Sequence, residues 1–175
     1  MTKVLETNRL LLRHLTLDDV NDVYALSCEG EVTRYLSDAP KGHNEIKDEL
    51  EWIIKEYYGR YGFGLWAAIL KSTSSFIGCC GLIPRRIDEH EEVEVACALR
   101  REYWRKGLGT EAAQAVVQYG LEHLHFSRLI CMAASENHAS IGLARKIGMI
   151  LEKEVEVDGK RVLLFSATRL SDSQR

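Results

Sequence analysis

The chain has 175 residues, of which 46% are hydrophobic and 28% charged, the composition of an ordinary globular domain. Its net charge of −3 gives no electrostatic case for DNA binding, and no apolar run reaches the roughly 18 residues that a membrane span needs. Five cysteines without regular spacing, and the lack of a signal-peptide-like apolar stretch, favour free thiols and a cytoplasmic location.

The first half of the chain alternates between strand and helix patterns. In chain order, it predicts a strand over 9–13, helices over 17–28, 31–36 and 44–58, and strands over 65–70 and 76–82. Thr16 is a suitable N-cap for the first helix, because Asp18 and Asp19 follow it in the first turn. A short polar segment, 71–74, predicts the turn between the two strands.

The second half begins with a strand over 93–99 and a helix over 110–123, separated by a glycine-rich turn. The elements that follow are a strand over 128–132, a helix over 137–147, and strands over 152–157 and 161–165. The Asp158-Gly159 pair between the last two strands is a typical hairpin turn. These elements predict one α/β domain over residues 1–170, with a mixed sheet of about seven strands, and a disordered tail over 171–175.

The glycine-rich turn, from Arg105 to Thr110, is the strongest functional signal. Backbone N–H groups in the first turn of a helix lack intrahelical partners, and the helix dipole adds roughly half a positive charge there. Gly107 and Gly109 have no Cβ to block a ligand, and Arg105 and Lys106 add formal charge. No P-loop string is present, and the dinucleotide fingerprint lacks its downstream acid. The turn therefore predicts a site for a phosphorylated cofactor of another kind, and the alternative is an ordinary turn before a helix.

Three separated segments resemble one family, the Gcn5-related N-acetyltransferases, and in particular its ribosomal-protein N-terminal (alanine and serine) acetyltransferases. The segment over 94–112 is similar to the family's motif A, and includes Tyr103-Trp104-Arg105-Lys106-Gly107-Leu108-Gly109-Thr110-Glu111-Ala112. The opening segment, 6–13, and the later segment, 137–149, resemble two further motifs in the same order. Arg105 stands where the family commonly has glycine.

The resemblance implies the acyl-CoA N-acyltransferase fold, a mostly antiparallel sheet splayed at its centre with flanking helices. It also implies acetyl-CoA as cosubstrate, no metal, and an amine acceptor. The pantetheine arm would lie between the strands at 93–99 and 128–132 and contact Asn137, and the thioester carbonyl would meet a backbone N–H near Cys97 to Leu99. The pyrophosphate would be held by Arg105, Lys106, Gly107, Leu108, Gly109 and Thr110.

Direct attack on a thioester needs a neutral amine, and therefore a general base. Glu94 is the leading candidate because it is an acid in an otherwise apolar strand, although an acid of this kind can also be a rim residue paired with a surface cation. His90, Glu91 and Glu92 are alternative bases. The resemblance implies that Ser140 protonates the leaving thiolate, and the alternative for Ser140 is hydrogen bonding at the start of a helix.

Covalent and metal-dependent chemistry have weaker support. Cys79, Cys80 and Cys97 are nucleophiles in principle, but a buried strand cysteine is usually inert. The two histidines within 123–125, with Cys131, lack the spacing of a closed metal site.

The predicted function is acetyl transfer to a primary amine, either a protein or peptide N-terminus or a small molecule. The alternative is a non-catalytic module that binds acetyl-CoA or a partner. The acceptor site is expected within 29–64, where no recognition motif is evident, although the acid-rich stretch 45–56 favours a cationic acceptor. The aromatic residues of this region are expected in the core and the acceptor-site wall: Trp52, Tyr57, Tyr58 and Tyr61. Both a monomer and a homodimer are compatible with the sequence.

Overall fold

Strands and helices alternate along the part of the chain that the computed structural model describes, residues 2–36 and 42–169. The strands there are β1 (Lys3–Glu6), β2 (Leu10–His14), β3 (Leu65–Leu70), β4 (Ser75–Ile87), β5 (His90–Leu99), β6 (Arg128–Ala134), β7 (Ile150–Val157) and β8 (Lys160–Thr168). They form one eight-stranded sheet in the order β1-β2-β3-β4-β5-β6-β8-β7. Every neighbouring pair is antiparallel except β5 and β6, which are parallel.

The α-helices of the described residues are α1 (Val20–Ser27), α2 (Gly30–Thr33), α3 (His43–Trp52), α4 (Leu108–Gln118) and α5 (His138–Lys146). Two of them continue into wider π-helical turns, α3 over Ile53–Tyr61 and α4 over Tyr119–His123. The helix predicted over 44–58 is therefore present, but its hydrogen bonding changes within its length. No helix of the described residues is long and apolar enough to cross a membrane.

The structure confirms the predicted α/β class and the mixed sheet, and adds one strand. β1 was not predicted because it is a four-residue edge strand that is supported only by pairing with β2. The hairpin of β4 and β5 is also longer than predicted, with its ladder running from Gly78 opposite Leu99 to Ile87 opposite His90. The half of the hairpin nearest its turn is rich in charged residues, so its sequence did not have the pattern of a buried strand. The predicted tail over 171–175 lies outside the described residues.

Helices cover both faces of the sheet at β5. On one face, Val95 and Leu99 pack in the same apolar cluster as Leu108 and Val116 of α4. On the other face, residues of β3 and β4 pack against α1 and α3 in a second cluster that includes Val20, Leu26, Ile46, Leu50, Ala67 and Cys79. Because successive strand residues point to opposite faces, Glu94 lies on the α1 and α3 face.

Candidate active site

The sheet opens between β5 and β6, as the resemblance implied. The ladder joining these parallel strands consists of a single pair, Glu94 with Ile130, whereas β6 pairs with β8 along its whole length. The N–H of Arg100 bonds to the carbonyl of Ile77 at 2.8 Å, and alternate residues of an antiparallel strand turn to the same side. The N–H groups of Cys97 and Leu99 therefore face the gap. The two strands leave an open backbone edge where an extended ligand could pair.

The predicted phosphate loop lies at one end of this gap. The N–H of Glu111 bonds to the carbonyl of Gly107 at 3.0 Å, so the N–H groups of residues 108–110 precede the first helical hydrogen bond of α4. The indole Nε1 of Trp104 donates to the carbonyl of Leu99 at 2.6 Å and joins the loop to the end of β5. Free helical donors and an open strand edge are therefore contiguous.

Two loop residues adopt the left-handed conformation, Arg105 with φ of 59° and Gly107 with φ of 76°. Glycine adopts this conformation without the steric cost that a Cβ imposes. This explains why the family commonly has glycine where this chain has Arg105. Arg105 is exposed.

The two glycines of the loop have few neighbours. A Cβ added to Gly109 would meet Leu99 Cδ1 at 3.7 Å, and one added to Gly107 would meet Arg9 Nη2 at 3.4 Å. The backbone at both glycines is otherwise open to an approaching anion. N–H donors and positively charged side chains therefore lie next to an open strand edge, which is the arrangement predicted for coenzyme A.

Three residues that were not identified from the sequence lie behind this loop: Thr7, Arg9 and Glu111. The carboxylate of Glu111 accepts hydrogen bonds from Thr7 Oγ1 at 2.6 Å, the Arg9 N–H at 2.8 Å and Arg9 Nε at 2.6 Å. Arg9 Nη1 also donates to the carbonyl of Lys106 at 2.9 Å. Burial opposes ionisation of Glu111, but the hydrogen bonds from Thr7 and Arg9 lower its pKa overall. Thr7 and Arg9 belong to the opening segment that resembles the family, but nothing in the spacing of that segment indicated that Glu111 is their partner.

Glu94 lies at the single pair that joins β5 to β6, and its residue is only 8% exposed. Arg85 Nε donates to its Oε2 at 2.6 Å, and the Arg85 side chain is 45% exposed. Burial opposes the charge on Arg85, but the Glu94 carboxylate raises the pKa of that guanidinium overall. Glu94 is therefore paired with a cation, as the alternative interpretation of this acid expected, but it is buried and lies beside the gap.

The three alternative bases lie further from the gap or are held by other partners. Glu92 accepts hydrogen bonds from Arg128 Nε at 3.1 and 3.2 Å. His90 pairs with Ile87 at the closed end of the hairpin, four residues or about 13 Å along the strand from Glu94. Glu91 is its neighbour and is exposed. Of the four candidates, Glu94 is the one at the splay.

Asn137 and Ser140 meet at the start of α5. Asn137 Oδ1 accepts a hydrogen bond from the Ser140 N–H at 3.1 Å, so Asn137 caps the helix as predicted. The Ser140 hydroxyl forms no hydrogen bond within the described residues, and the side chain is half-buried. The hydroxyl therefore has no structural hydrogen bond at the helix start, and only the backbone N–H serves the cap.

The buried cysteines are poor nucleophiles. Burial raises the pKa of the Cys79 thiol, and it raises that of Cys131 to about 12. A hydrogen bond with Cys97, together with burial, raises the pKa of Cys80. Cys97 itself is half-buried on the face of β5 that packs against α4. Thiols with a raised pKa stay protonated at neutral pH, which disfavours an acyl-cysteine intermediate on Cys79, Cys80 and Cys131.

The residues considered for a metal site do not come together. His123 stacks on Tyr119 with ring centroids 5.4 Å apart, and Cys131 lies within β6. Within residues 2–36 and 42–169, no group of three or more His, Cys, Asp or Glu side chains is placed to hold a metal ion.

The aromatic residues predicted for the acceptor region divide between core and surface. Tyr58 is a core residue, whose hydroxyl accepts from the Leu15 N–H at 2.9 Å and donates to the Leu65 carbonyl. Trp52 and Tyr61 are 50% and 44% exposed. The acid-rich stretch is partly neutralised by its own neighbours, since lysine and arginine side chains lie 3.7 to 4.0 Å from its glutamates in three ion pairs.

An open sheet with a glycine loop at the mouth of its central gap defines an acyl-CoA-dependent transferase. The chain matches the family model of the acetyltransferase (GNAT) domain over residues 9–150. It is 30% identical over 162 residues to the uncharacterised protein YkkB of Bacillus subtilis, covering 92% of this chain and 93% of that protein. It is 26% identical over 145 residues to spermidine N(1)-acetyltransferase of Escherichia coli, covering 82% and 74%.

The fold is similar to that of RimL, the ribosomal L7/L12 α-N-protein acetyltransferase solved in complex with coenzyme A. The TM-score is 0.79, with 95% of this chain and 98% of that chain covered, at 13% sequence identity. At this identity the likeness concerns the fold alone. The family model covers most of the chain, and the chain therefore belongs to the GNAT acetyltransferases and is an acetyl-CoA-dependent N-acetyltransferase.

Proposed function

We propose that the protein transfers the acetyl group of acetyl-CoA to a primary amine by direct attack, through a tetrahedral intermediate. The observation that carries this proposal is the open edge of β5, which has free N–H groups and adjoins the glycine loop at the start of α4. This arrangement holds phosphates at one end and a thioester at the other. No covalent enzyme intermediate is needed.

On the cofactor side, the backbone N–H groups of the loop and the charges of Arg105 and Lys106 bind the pyrophosphate. Asn137 uses its Oδ1 in the helix cap, which leaves its amide Nδ2 for the pantetheine arm. The N–H of Cys97 or Leu99 stabilises the oxyanion that develops on the thioester carbonyl. These roles need an extended arm lying in the gap between β5 and β6.

On the acceptor side, Glu94 serves as the general base. The cofactor loop belongs to the α4 face of the sheet, and Glu94 lies on the opposite face, so the amine approaches from the α1 and α3 side. An incoming ammonium group is a cation that can replace Arg85 at the Glu94 carboxylate, and its proton passes to that carboxylate directly or through a water. The Ser140 hydroxyl, which forms no hydrogen bond in the described residues, then passes its proton to the thiolate of coenzyme A and takes up the second proton that the attacking nitrogen releases.

The acceptor is a primary amine on a peptide N-terminus or on a small molecule. One relative is named for spermidine, which supports a small-molecule amine, whereas the structure named for a ribosomal protein shares the fold alone. Trp52 and Tyr61 are half-exposed on the acceptor face and can line the path of an amine-bearing chain.

The test is release of coenzyme A from acetyl-CoA in the presence of an amine panel, with mass spectrometry of the products. The panel contains spermidine, free amino acids, and peptides with N-terminal serine or alanine. We expect an acetylated amine with at least one class. Binding of acetyl-CoA in calorimetry, without turnover on any amine, would instead support the non-catalytic module, and absence of binding at millimolar acetyl-CoA would refute both.

A further inference from the structure

The N-terminal segment reaches across the fold to the cofactor loop. Thr7 and Glu111 are 104 positions apart in sequence, and their side chains are 2.6 Å apart. Arg9 joins the same cluster and bonds to both a side chain and a backbone carbonyl of the loop region. We call Thr7, Arg9 and Glu111 the loop clamp. None of the three was a candidate on sequence grounds.

We propose that Arg9 is a positioning residue for coenzyme A, which orients the loop so that its N–H groups face the pyrophosphate. The carbonyl of Lys106 and the N–H of Gly107 belong to one planar, trans peptide unit and point in opposite directions. Arg9 Nη1 holds that carbonyl at 2.9 Å. The Gly107 N–H is therefore directed away from Arg9, toward the side where the anion binds.

The second part of the clamp is electrostatic. Glu111 lies in the first turn of α4, where its negative charge would repel a bound pyrophosphate. Arg9 Nε binds its Oε2 at 2.6 Å, and Thr7 Oγ1 binds its Oε1 at 2.6 Å. The carboxylate is thereby turned back toward β2 and neutralised. Glu111 in turn fixes Arg9 in the one orientation that reaches the Lys106 carbonyl.

The clamp can be separated from a general anchor of the N-terminal segment, because the chain has a second anchor beside it. Lys71 Nζ donates to Glu6 Oε1 at 2.8 Å and to the Thr7 carbonyl at 3.0 Å. This tie holds the same segment without touching the loop. Lys71→Ala is therefore a matched control for Arg9→Ala.

The proposal rests on the proposed function for its ligand, and its first test is binding rather than activity. Titration calorimetry with coenzyme A is compared for the natural protein, Arg9→Ala, Arg9→Lys and Lys71→Ala. Loss of a charge-assisted hydrogen bond changes an equilibrium by about tenfold or more, so we expect Arg9→Ala to weaken binding by at least that factor. Arg9→Lys keeps the positive charge but loses the forked geometry of the guanidinium, so its affinity should lie between those of Arg9→Ala and the natural protein. Lys71→Ala should bind like the natural protein.

A second measurement excludes a merely structural role. S-acetyl-pantetheine lacks the pyrophosphate and adenosine, so it does not use the loop. Arg9→Ala should raise KM for acetyl-CoA by about tenfold with kcat preserved, and leave kcat/KM for S-acetyl-pantetheine unchanged. Equal losses with both thioesters, or unchanged affinity for coenzyme A in a folded Arg9→Ala protein, would overturn the proposal.

If Arg9→Ala does not fold, Arg9→Gln provides the same test, because it keeps a long polar side chain and removes the guanidinium charge. Arg9→Gln should weaken coenzyme A binding by about tenfold, with S-acetyl-pantetheine again unaffected, and unchanged affinity would contradict the clamp. A natural protein that does not bind coenzyme A would refute the proposed function and this inference together. Binding by the natural protein, with no change in the variants, would refute the clamp alone.

Discussion

The two sides of the central gap are built differently. The cofactor side consists largely of backbone groups, the N–H donors of the loop and the edge of β5, held by glycine conformation and by hydrogen bonds from Arg9 and Trp104. The proposed acceptor side consists of side chains, with Glu94 and Arg85 paired at 2.6 Å. Backbone sites depend on a few required conformations and tolerate varied side chains. The ligand specificity of a site built from side chains changes when those side chains are substituted. A family built in this way can keep one cofactor and accept many amines.

The largest expected effect tests the cofactor side. Gly107→Val should lower coenzyme A affinity by about a hundredfold or more, because a β-branched residue is strained at φ of 76° and its Cβ would lie only 3.4 Å from Arg9 Nη2, which disturbs the loop conformation. Calorimetry with coenzyme A measures this loss, with circular dichroism to check folding. Gly159→Val is the matched control, since Gly159 has φ of 72° and open space around it, in the β7–β8 turn. Near-natural affinity in folded Gly107→Val would place the phosphates elsewhere.

The next effect tests the acceptor side. Glu94→Gln should lower kcat by about a hundredfold or more near neutral pH, and activity should recover as pH rises and the amine loses its proton to solvent. Coenzyme A affinity should stay within a few-fold, because Glu94 lies on the face opposite the loop. The measurement is a pH–rate profile. Glu92→Gln is the control, since Glu92 is bound by Arg128, and its profile should keep the natural shape. An unchanged profile for Glu94→Gln would assign the base to another group.

A smaller effect tests the junction between the two sides. Ser140→Ala should lower kcat by about tenfold and leave coenzyme A affinity within a few-fold, because proton delivery to the thiolate contributes only in the transition state. Steady-state kinetics and a thermal melt on one preparation measure both quantities. Asn137→Ala is the comparison, since it removes the helix cap and should destabilise the protein by about 1 kcal/mol. A lowered melting temperature with normal kcat in Ser140→Ala would contradict the catalytic role.

The smallest effect concerns Arg105, where backbone conformation and charge act in opposite directions. Arg105→Gly should stabilise the fold by about 1 kcal/mol, because it relieves the left-handed conformation at φ of 59°. The same change should weaken coenzyme A binding a few-fold, because it removes a positive charge beside the phosphates. A thermal melt without ligand and a titration at two salt concentrations separate the two effects. Lower stability in the glycine variant would show that the side chain contributes contacts that outweigh the strain.

Much of the local structure on the proposed cofactor side could be predicted from the sequence, because its signals are short-range. The glycine loop and the Asn137 cap each depend on residues within a few positions of one another. The strand and helix types of the central elements also followed from local periodicity. The splay between β5 and β6 was expected from the family resemblance alone, since no local pattern indicates where two distant strands separate.

Only the tertiary structure decided which distant side chains meet. Arg85 reaches Glu94 across the β4–β5 ladder, Arg9 and Glu111 meet although they are 102 positions apart, and β1 exists only through its pairing with β2. A charged side chain has the same local pattern whether it is solvated or bound to a partner far away in sequence, so the partner becomes visible only when the chain closes on itself. The sequence by itself determined the class of fold and predicted the place where the phosphates bind, through backbone preferences that act over a few residues. The tertiary structure determined the ion pairs that hold the loop and occupy the candidate base, because these contacts depend on how the strands and helices pack.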